Sequence, residues 1–435
     1  MTSPTAAIPA RDLDSSWLRH PIVLTAWCMV AAFGTYACMY GFRKPFTAAP
    51  FATEPFGDGF KTLLVTSQVL GYTVSKFLGI RIIAAMPAAR RVVTLLGLIG
   101  GAQLALVLFA ILPRPLNIAC LFLNGLPLGM VFGLVLGFLE GRRMTEAFVA
   151  GLCTSFILAD GFAKSVGAWL LASGIPERWM PATAGMLFLA PLLAFVFMLQ
   201  HIPPPTRADI SARSERLPMS REDRLRWIRR HGLGLLFIAT AYLLLTVIRS
   251  LRADFAPEIW AAFGTQGQPG IFTRSELWVA AGVMLANGSL VCVQDNRKAF
   301  FLSLAISITG LLLALVAVLL LRRAFISPFG FMVLLGLGLY LPYVAVHTTV
   351  FERLIALTRD RGNIGYLMYL ADSAGYLGYA AVMLGRDWIR PSGGFLDFFL
   401  QATNLGATLA MAAFAAAAWQ FRPWRAAAVA SSEGG

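Results

Sequence analysis

Polar residues in this chain gather into short clusters separated by apolar blocks of about 20 residues, the length that carries an α-helix across a hydrocarbon core. Such blocks or near-blocks occupy 20–42, 62–80, 92–112, 116–139, 148–173, 180–200, 231–250, 276–293, 299–321, 327–350, 364–385 and 396–420. The pattern predicts an all-α membrane protein of twelve transmembrane helices. Lys76 interrupts the second block, and Asp160 and Lys164 interrupt the fifth, so those two helices rest partly on their flanks. Pro127 and Pro342 fall inside the fourth and tenth blocks and are expected to kink them. Gly125, Gly129, Gly133 and Gly137 recur every four residues, a spacing that lets a neighbouring helix approach closely.

Composition agrees with this pattern. Of 435 residues, 58% are hydrophobic and only 13% charged, and mean hydropathy is +0.70. A water-soluble chain of this length needs far more polar surface. Met1 to Leu18 lacks a basic segment leading into a short apolar core and a small-residue cleavage site, so the first span is expected to be retained. Cys28, Cys38, Cys120, Cys153 and Cys292 lie in or beside apolar blocks without metal-ligand or disulfide spacing. They read as small apolar fillers, and no metal or cofactor is expected.

The net charge of +14 would suggest nucleic acid in a soluble protein. Here the basic residues cluster in alternate loops, as the positive-inside rule requires. The clusters are Arg81/Arg90/Arg91, Arg142/Arg143, Arg207 to Arg230, Arg297/Lys298, Arg353/Arg359/Arg361 and Arg422/Arg425. Threading twelve spans puts all of them on one side, with both termini cytoplasmic. The expected partners are the lipid bilayer and a small solute, with no nucleic acid, and the protein is expected to be monomeric.

One long polar stretch divides six spans from six. It predicts an N-terminal segment 1–19, a first six-helix bundle 20–200, a basic linker 201–230, a second bundle 231–420 and a tail 421–435. Ser220 and Asp223 resemble a helix start, so Arg221–Arg230 is expected to form an amphipathic helix on the membrane surface. The halves are weakly alike. Leu158-Ala159-Asp160 repeats as Leu370-Ala371-Asp372, Glu140 repeats at the same offset as Glu352, and Arg43 and Arg249 close the first and seventh spans. Repeated halves suit a carrier in which one bundle rocks against the other about a central site.

A charge inside the bilayer is costly and usually faces a partner, a wet cavity or a ligand. The basic candidates are Arg43, Lys76, Lys164 and Arg249. Tyr36, Tyr40 and Arg43 share one helical face, and Tyr72 lies one turn from Lys76. Guanidinium groups from different helices can clamp an oxyanion through paired charge-assisted bonds, with tyrosine hydroxyls adding neutral donors. The competing reading has Arg43 and Arg249 reaching to the outer interface. The acidic candidates are Glu140, Asp160, Glu352 and Asp372. Asp160 can pair with Lys164. Glu140 and Glu352 sit beside arginines, as ion-pair latches do, and a buried carboxylate can instead couple protons. His347 either packs or lines the cavity.

These motifs resemble the major facilitator superfamily and, within it, the organophosphate:phosphate antiporters, which carry glycerol 3-phosphate and hexose phosphates. Tyr36-x3-Tyr40-x2-Arg43-Lys44-x-Phe46 is similar to the family's first-helix motif, and Tyr72-x2-Ser75-Lys76-Phe77 to its second. Arg249-x4-Asp254-Phe255-Ala256-Pro257 resembles the seventh. Tyr340-x-Pro342 with His347 and Glu352 resembles the tenth, and Gly375-Tyr376-Leu377-Gly378 the eleventh. The resemblance implies that Arg43 and Arg249 ligate phosphate, that Lys76 lies near the site, that Tyr376 faces the cavity, and that organic phosphate exchanges for inorganic phosphate. It also implies a bacterial inner membrane. The chain departs from the family at Lys164, where the family carries histidine. It also lacks the acidic residue usual between the second and third helices.

The leading expectation is therefore a secondary transporter of a small anionic, phosphorylated metabolite. The alternatives are a proton-coupled carboxylate or sugar transporter with Asp160 or Asp372 as proton site, and a transport-inactive sensor of a phosphorylated ligand. No metalloprotease, nucleophile-elbow or phosphate-loop motif is present, so enzyme activity is not expected.

Overall fold

The computed structural model describes residues 20–52, 59–84, 86–139, 145–203, 221–265, 268–290, 293–358, 364–385 and 394–422. Among these residues every regular element is a helix. They are α1 (Pro21–Tyr40), a 3-10 turn (Pro45–Ala48), α2 (Gly59–Ala84), α3 (Ala88–Ile111), α4 (Asn117–Leu139), α5 (Thr145–Ala172), α6 (Met180–Gln200) and α7 (Arg221–Asp254). There follow α8 (Ala256–Ala262), α9 (Ile271–Leu290), α10 (Asn296–Arg322), α11 (Pro328–Ala345), a π-helical turn (Val346–Val350), α12 (Phe351–Thr358), α13 (Ile364–Gly385) and α14 (Phe395–Gln420). Each apolar block of the sequence overlaps one of these helices. Nine helices among the described residues are long and apolar enough to cross a membrane. The chain is a multi-pass membrane protein.

The distribution of side chains is that of a protein dissolved in lipid. Leu285 is 80% exposed and Trp278 64%, whereas Arg252 and Lys61 are each 1% exposed. Apolar groups facing outward lose nothing against hydrocarbon, while charges must be enclosed and paired.

The helices pair in a pattern that recurs along the chain. In the N-terminal half α2 and α3 pack on α4, and α1 packs on α5 and α6. In the C-terminal half α9 and α10 pack on α11, and α7 packs on α13 and α14. Between the halves, α2 meets α13 and α5 meets α9. These two contacts exchange under the same correspondence.

Close approach is built in where the sequence places glycine. A Cβ on Gly125 of α4 would lie 2.2 Å from the Gln68 carbonyl oxygen of α2, and one on Gly71 would lie 2.1 Å from the Phe122 carbonyl. The small-residue face of α4 is thus a packing face.

One expectation is corrected. Arg221–Arg230 is no separate surface helix, because α7 runs unbroken from Arg221 to Asp254. No proline separates the basic segment from the apolar one, so the backbone ladder continues from one into the other.

Candidate functional site

The turn that carries Arg43 is fixed from two helices. The Gln68 amide of α2 donates to the Arg43 carbonyl at 3.0 Å and to Asn124 Oδ1 at 2.8 Å. Asn124 of α4 in turn donates to the carbonyls of Phe42 at 3.1 Å and Ala102 at 3.0 Å. Arg43 is 5% exposed, so it does not reach to an outer interface. Its guanidinium lies 3.8 Å from the centroid of the Tyr72 ring and 5.9 Å from that of Tyr40. Arg249 stands inside α7, partly buried, 4.3 Å from the Tyr343 ring and 5.9 Å from that of Tyr340. It bonds to its neighbour Ser250 Oγ at 3.2 Å.

Aromatic side chains join these two positions. Tyr40 meets Tyr36 edge-on at 5.6 Å, Tyr36 meets Phe156 at 6.0 Å, and Phe156 meets Tyr343 at 6.0 Å. Tyr72 of α2 meets Tyr376 of α13 at 5.3 Å. The Tyr376 hydroxyl is within electrostatic reach of both guanidiniums.

Among the described residues the other buried lysines and arginines are paired with acids. Lys44 bonds Asp254, with Asp160 at 3.6 Å, and Lys164 bonds Asp160 one turn away. Asp254 also accepts the Tyr379 hydroxyl at 3.0 Å. Lys61 meets Glu258 at 2.5 Å, Lys76 meets Asp372 at 2.9 Å, and Arg252 meets Glu276 at 2.8 Å. The Lys44, Lys61 and Lys76 pairs each cross from the N-terminal to the C-terminal half. Among the described residues Arg43 and Arg249 have no carboxylate partner, and the Nε atom of each is buried without a hydrogen bond.

The energetics of this contrast are informative. The effective penalty for burying an ion is several kcal/mol even after relaxation. A cation over a desolvated aromatic ring recovers about 2 kcal/mol. Aromatic stacking therefore offsets only part of the cost.

Asp372 anchors a second cluster. It accepts Lys76 from α2, the Tyr242 hydroxyl of α7 at 2.5 Å, and lies 3.3 Å from His347 Nε2. His347 sits in the π-helical turn that follows Pro342 in α11. Such turns recur at functional sites because they shift side chains out of the helical register.

Of the residues singled out from sequence, Arg43, Tyr36, Tyr40, Tyr72, Tyr340, Tyr376 and Arg249 fall within the aromatic shell. Lys76, His347 and Asp372 form one ion network, and Lys44, Asp160, Lys164 and Asp254 form another. Glu352 is half-buried at the start of α12, and Glu140 lies outside the described residues. Sequence reasoning passed over Tyr242, Tyr343, Tyr379, Lys61, Glu258, Arg252 and Glu276. Their signal was present as polar groups within or at the edges of apolar blocks. Arg252 and Glu276 are charges that no flanking loop accounts for.

Comparison with known proteins gives the following. The sequence profile of a family described as "Family of unknown function (DUF5690)" matches residues 45–423. No curated protein matches the sequence. Among solved structures, a D-xylose-proton symporter aligns with a TM-score of 0.61 at 14% identity, covering 90% of this chain and 96% of its own. A mutant of the nucleoside transporter NupG aligns with a TM-score of 0.59 at 15% identity, covering 92% of this chain and 100% of its own. At these identities the likeness is one of fold, the MFS-type transporter fold.

Proposed function

The chain belongs to the DUF5690 family, and we propose that it is a secondary transporter of a small anionic, phosphorylated metabolite, working by alternating access in exchange for inorganic phosphate. One observation carries this reading. Among the described residues Arg43, in the turn that follows α1, and Arg249, in the last turns of α7, are the buried or partly buried interior cations without a carboxylate, while Lys44, Lys61, Lys76, Lys164 and Arg252 each have one. The two uncompensated positive charges match a phosphomonoester, which carries about −1.5 to −2 at pH 7.

The mechanism follows from position. An anion held by Arg43 and Arg249 bridges the two halves and favours the state in which they approach each other. Its differential affinity for that state is what shifts the equilibrium. The tyrosine hydroxyls of Tyr36, Tyr40, Tyr72, Tyr340 and Tyr376 add neutral donors around it. Lys44–Asp254 and Lys61–Glu258, which join the ends of α1 and α7 and the starts of α2 and α8, act as latches that exchange as the halves rock. Twelve spans in two six-helix bundles, cytoplasmic termini, a monomer and a bacterial inner membrane complete the reading. The positive-inside distribution of arginines supports the orientation.

The test is counterflow. Purified protein in liposomes loaded with unlabelled phosphate is diluted into labelled phosphate. The reading expects transient accumulation of label that Arg43→Lys or Arg249→Lys abolishes while expression persists. Accumulation that survives either substitution refutes the clamp.

A further inference from the structure

The geometry points to a proton-binding site formed by His347 and Asp372, separate from the two arginines and joined to the Lys76–Asp372 bridge between α2 and α13. Three distances carry it. The Tyr242 hydroxyl is 2.5 Å from Asp372 Oδ1 and 3.3 Å from His347 Nε2, and that nitrogen is itself 3.3 Å from Asp372 Oδ1. The other ring nitrogen, Nδ1, lies 3.1 Å from the Tyr343 carbonyl oxygen. A carbonyl only accepts, so Nδ1 carries a hydrogen. In a neutral ring Nε2 then presents a lone pair.

The Tyr242 hydroxyl lies 3.3 Å from Nε2 and 3.5 Å from Nδ1, so it stands off the Nε2 lone-pair axis and gives its proton to Asp372. Nε2 and the carboxylate then face each other with lone pairs only, one proton short. Adding it to Nε2 gives an imidazolium bonded to the carboxylate. Adding it to Asp372 gives a neutral carboxyl that donates to Nε2.

The surroundings suit such a site. Lys76 and Tyr72 face it from α2, Phe156 from α5 at 6.4 Å, and Tyr242 from α7. Tyr343 of α11 lies 4.6 Å from the His347 ring, with Arg249 behind it, and Tyr376 of α13 stands near Tyr242 and Tyr343. On α12, Glu352 and Arg353 open the next helix, and Arg353 is held by Asn296 of α10 at 2.6 Å. Lys76 is the cation bonded to Asp372 from the opposite half. A proton on the carboxyl removes the anion from Lys76 and so loosens α2 from α13, while a proton on Nε2 leaves the bridge intact. It is the proton on the carboxyl that biases the approach of the halves. The link to solute movement rests on the anion-carrier reading, whereas the proton site itself does not.

Spectroscopy on the full chain in nanodiscs tests the site without a substrate. Histidine labelled with ¹⁵N reports the protonation of His347, assigned by its loss in His347→Gln, and infrared spectra report a protonated carboxyl. The site predicts, at neutral pH, either an imidazolium at His347 or a protonated carboxyl that Asp372→Asn removes. A neutral His347 with no protonated carboxyl in the unsubstituted protein overturns the proposal, whatever the variants do. For coupling, liposomes loaded with unlabelled phosphate are given labelled phosphate with and without an inward proton gradient. Uptake that the gradient stimulates, and that His347→Gln makes insensitive to it, supports coupling, and uptake indifferent to the gradient refutes it. Phosphate that moves under no condition defeats the anion-carrier reading, and the spectra alone then decide the proton site.

Discussion

Lys76 of α2 and Asp372 of α13 stand 296 positions apart in the sequence and 2.9 Å apart in space, forming a buried ion pair between the two halves of the protein. Removing one member strands the other in a low-dielectric interior, which costs about 3–5 kcal/mol. Lys76→Met and Asp372→Leu should each lower the melting temperature in detergent, and the combined variant should lose less than either. Additive losses would show that the pair has no coupling energy.

Gly125 positions the arginine turn indirectly. Its missing side chain lets α4 touch α2 at Gln68, which holds the Arg43 carbonyl. Gly125→Ala should force the helices apart and cost about 1–3 kcal/mol. Thermal melting reads that loss, and phosphate counterflow should fall with it. A variant with unchanged melting and transport would contradict the close packing.

Asp295 caps α10 outside the membrane-spanning segments. Its carboxylate accepts the backbone N–H groups of Arg297 at 2.8 Å and Lys298 at 3.0 Å. The Lys298 N–H, chiefly, holds the carboxyl below its ordinary range. A lowered value in the folded state means stabilisation that is present above the unfolded value of about 3.9 and lost as pH falls through the folded one. Asp295→Ala should therefore cost about 1 kcal/mol at pH 7. The difference should shrink below pH 4 in melting curves recorded across pH.

Much of the fold was legible because hydrocarbon demands long apolar helices, and that requirement is written locally. The pairing of Asp160 with Lys164 was legible for the same reason, since one helical turn brings them together. The expected surface helix at Arg221–Arg230 failed because polarity marks where a segment sits, not where its backbone ladder stops. The α2 helix, carrying Lys61, Gln68 and Lys76, falls short of a clear apolar signal, because its polar side chains face other helices instead of lipid. The partners of Lys44 and Lys61 were not legible at all. Asp254 lies 210 positions from Lys44 and Glu258 lies 197 from Lys61, and only the packing of the two halves brings them together. Tyr242 was passed over because one hydroxyl barely alters the hydropathy of an apolar block.

The central claim is that Arg43 and Arg249 together hold an anion, and equilibrium binding tests it most directly. Titrating purified protein with inorganic phosphate and with simple phosphomonoesters should give saturable binding of one equivalent that weakens as salt rises. Arg43→Gln and Arg249→Gln, each removing charge-assisted bonds of about 1.5–3 kcal/mol, should weaken it about ten- to a hundredfold. Undiminished binding in both variants, or no binding of any phosphate or carboxylate anion to the intact protein, would contradict the account.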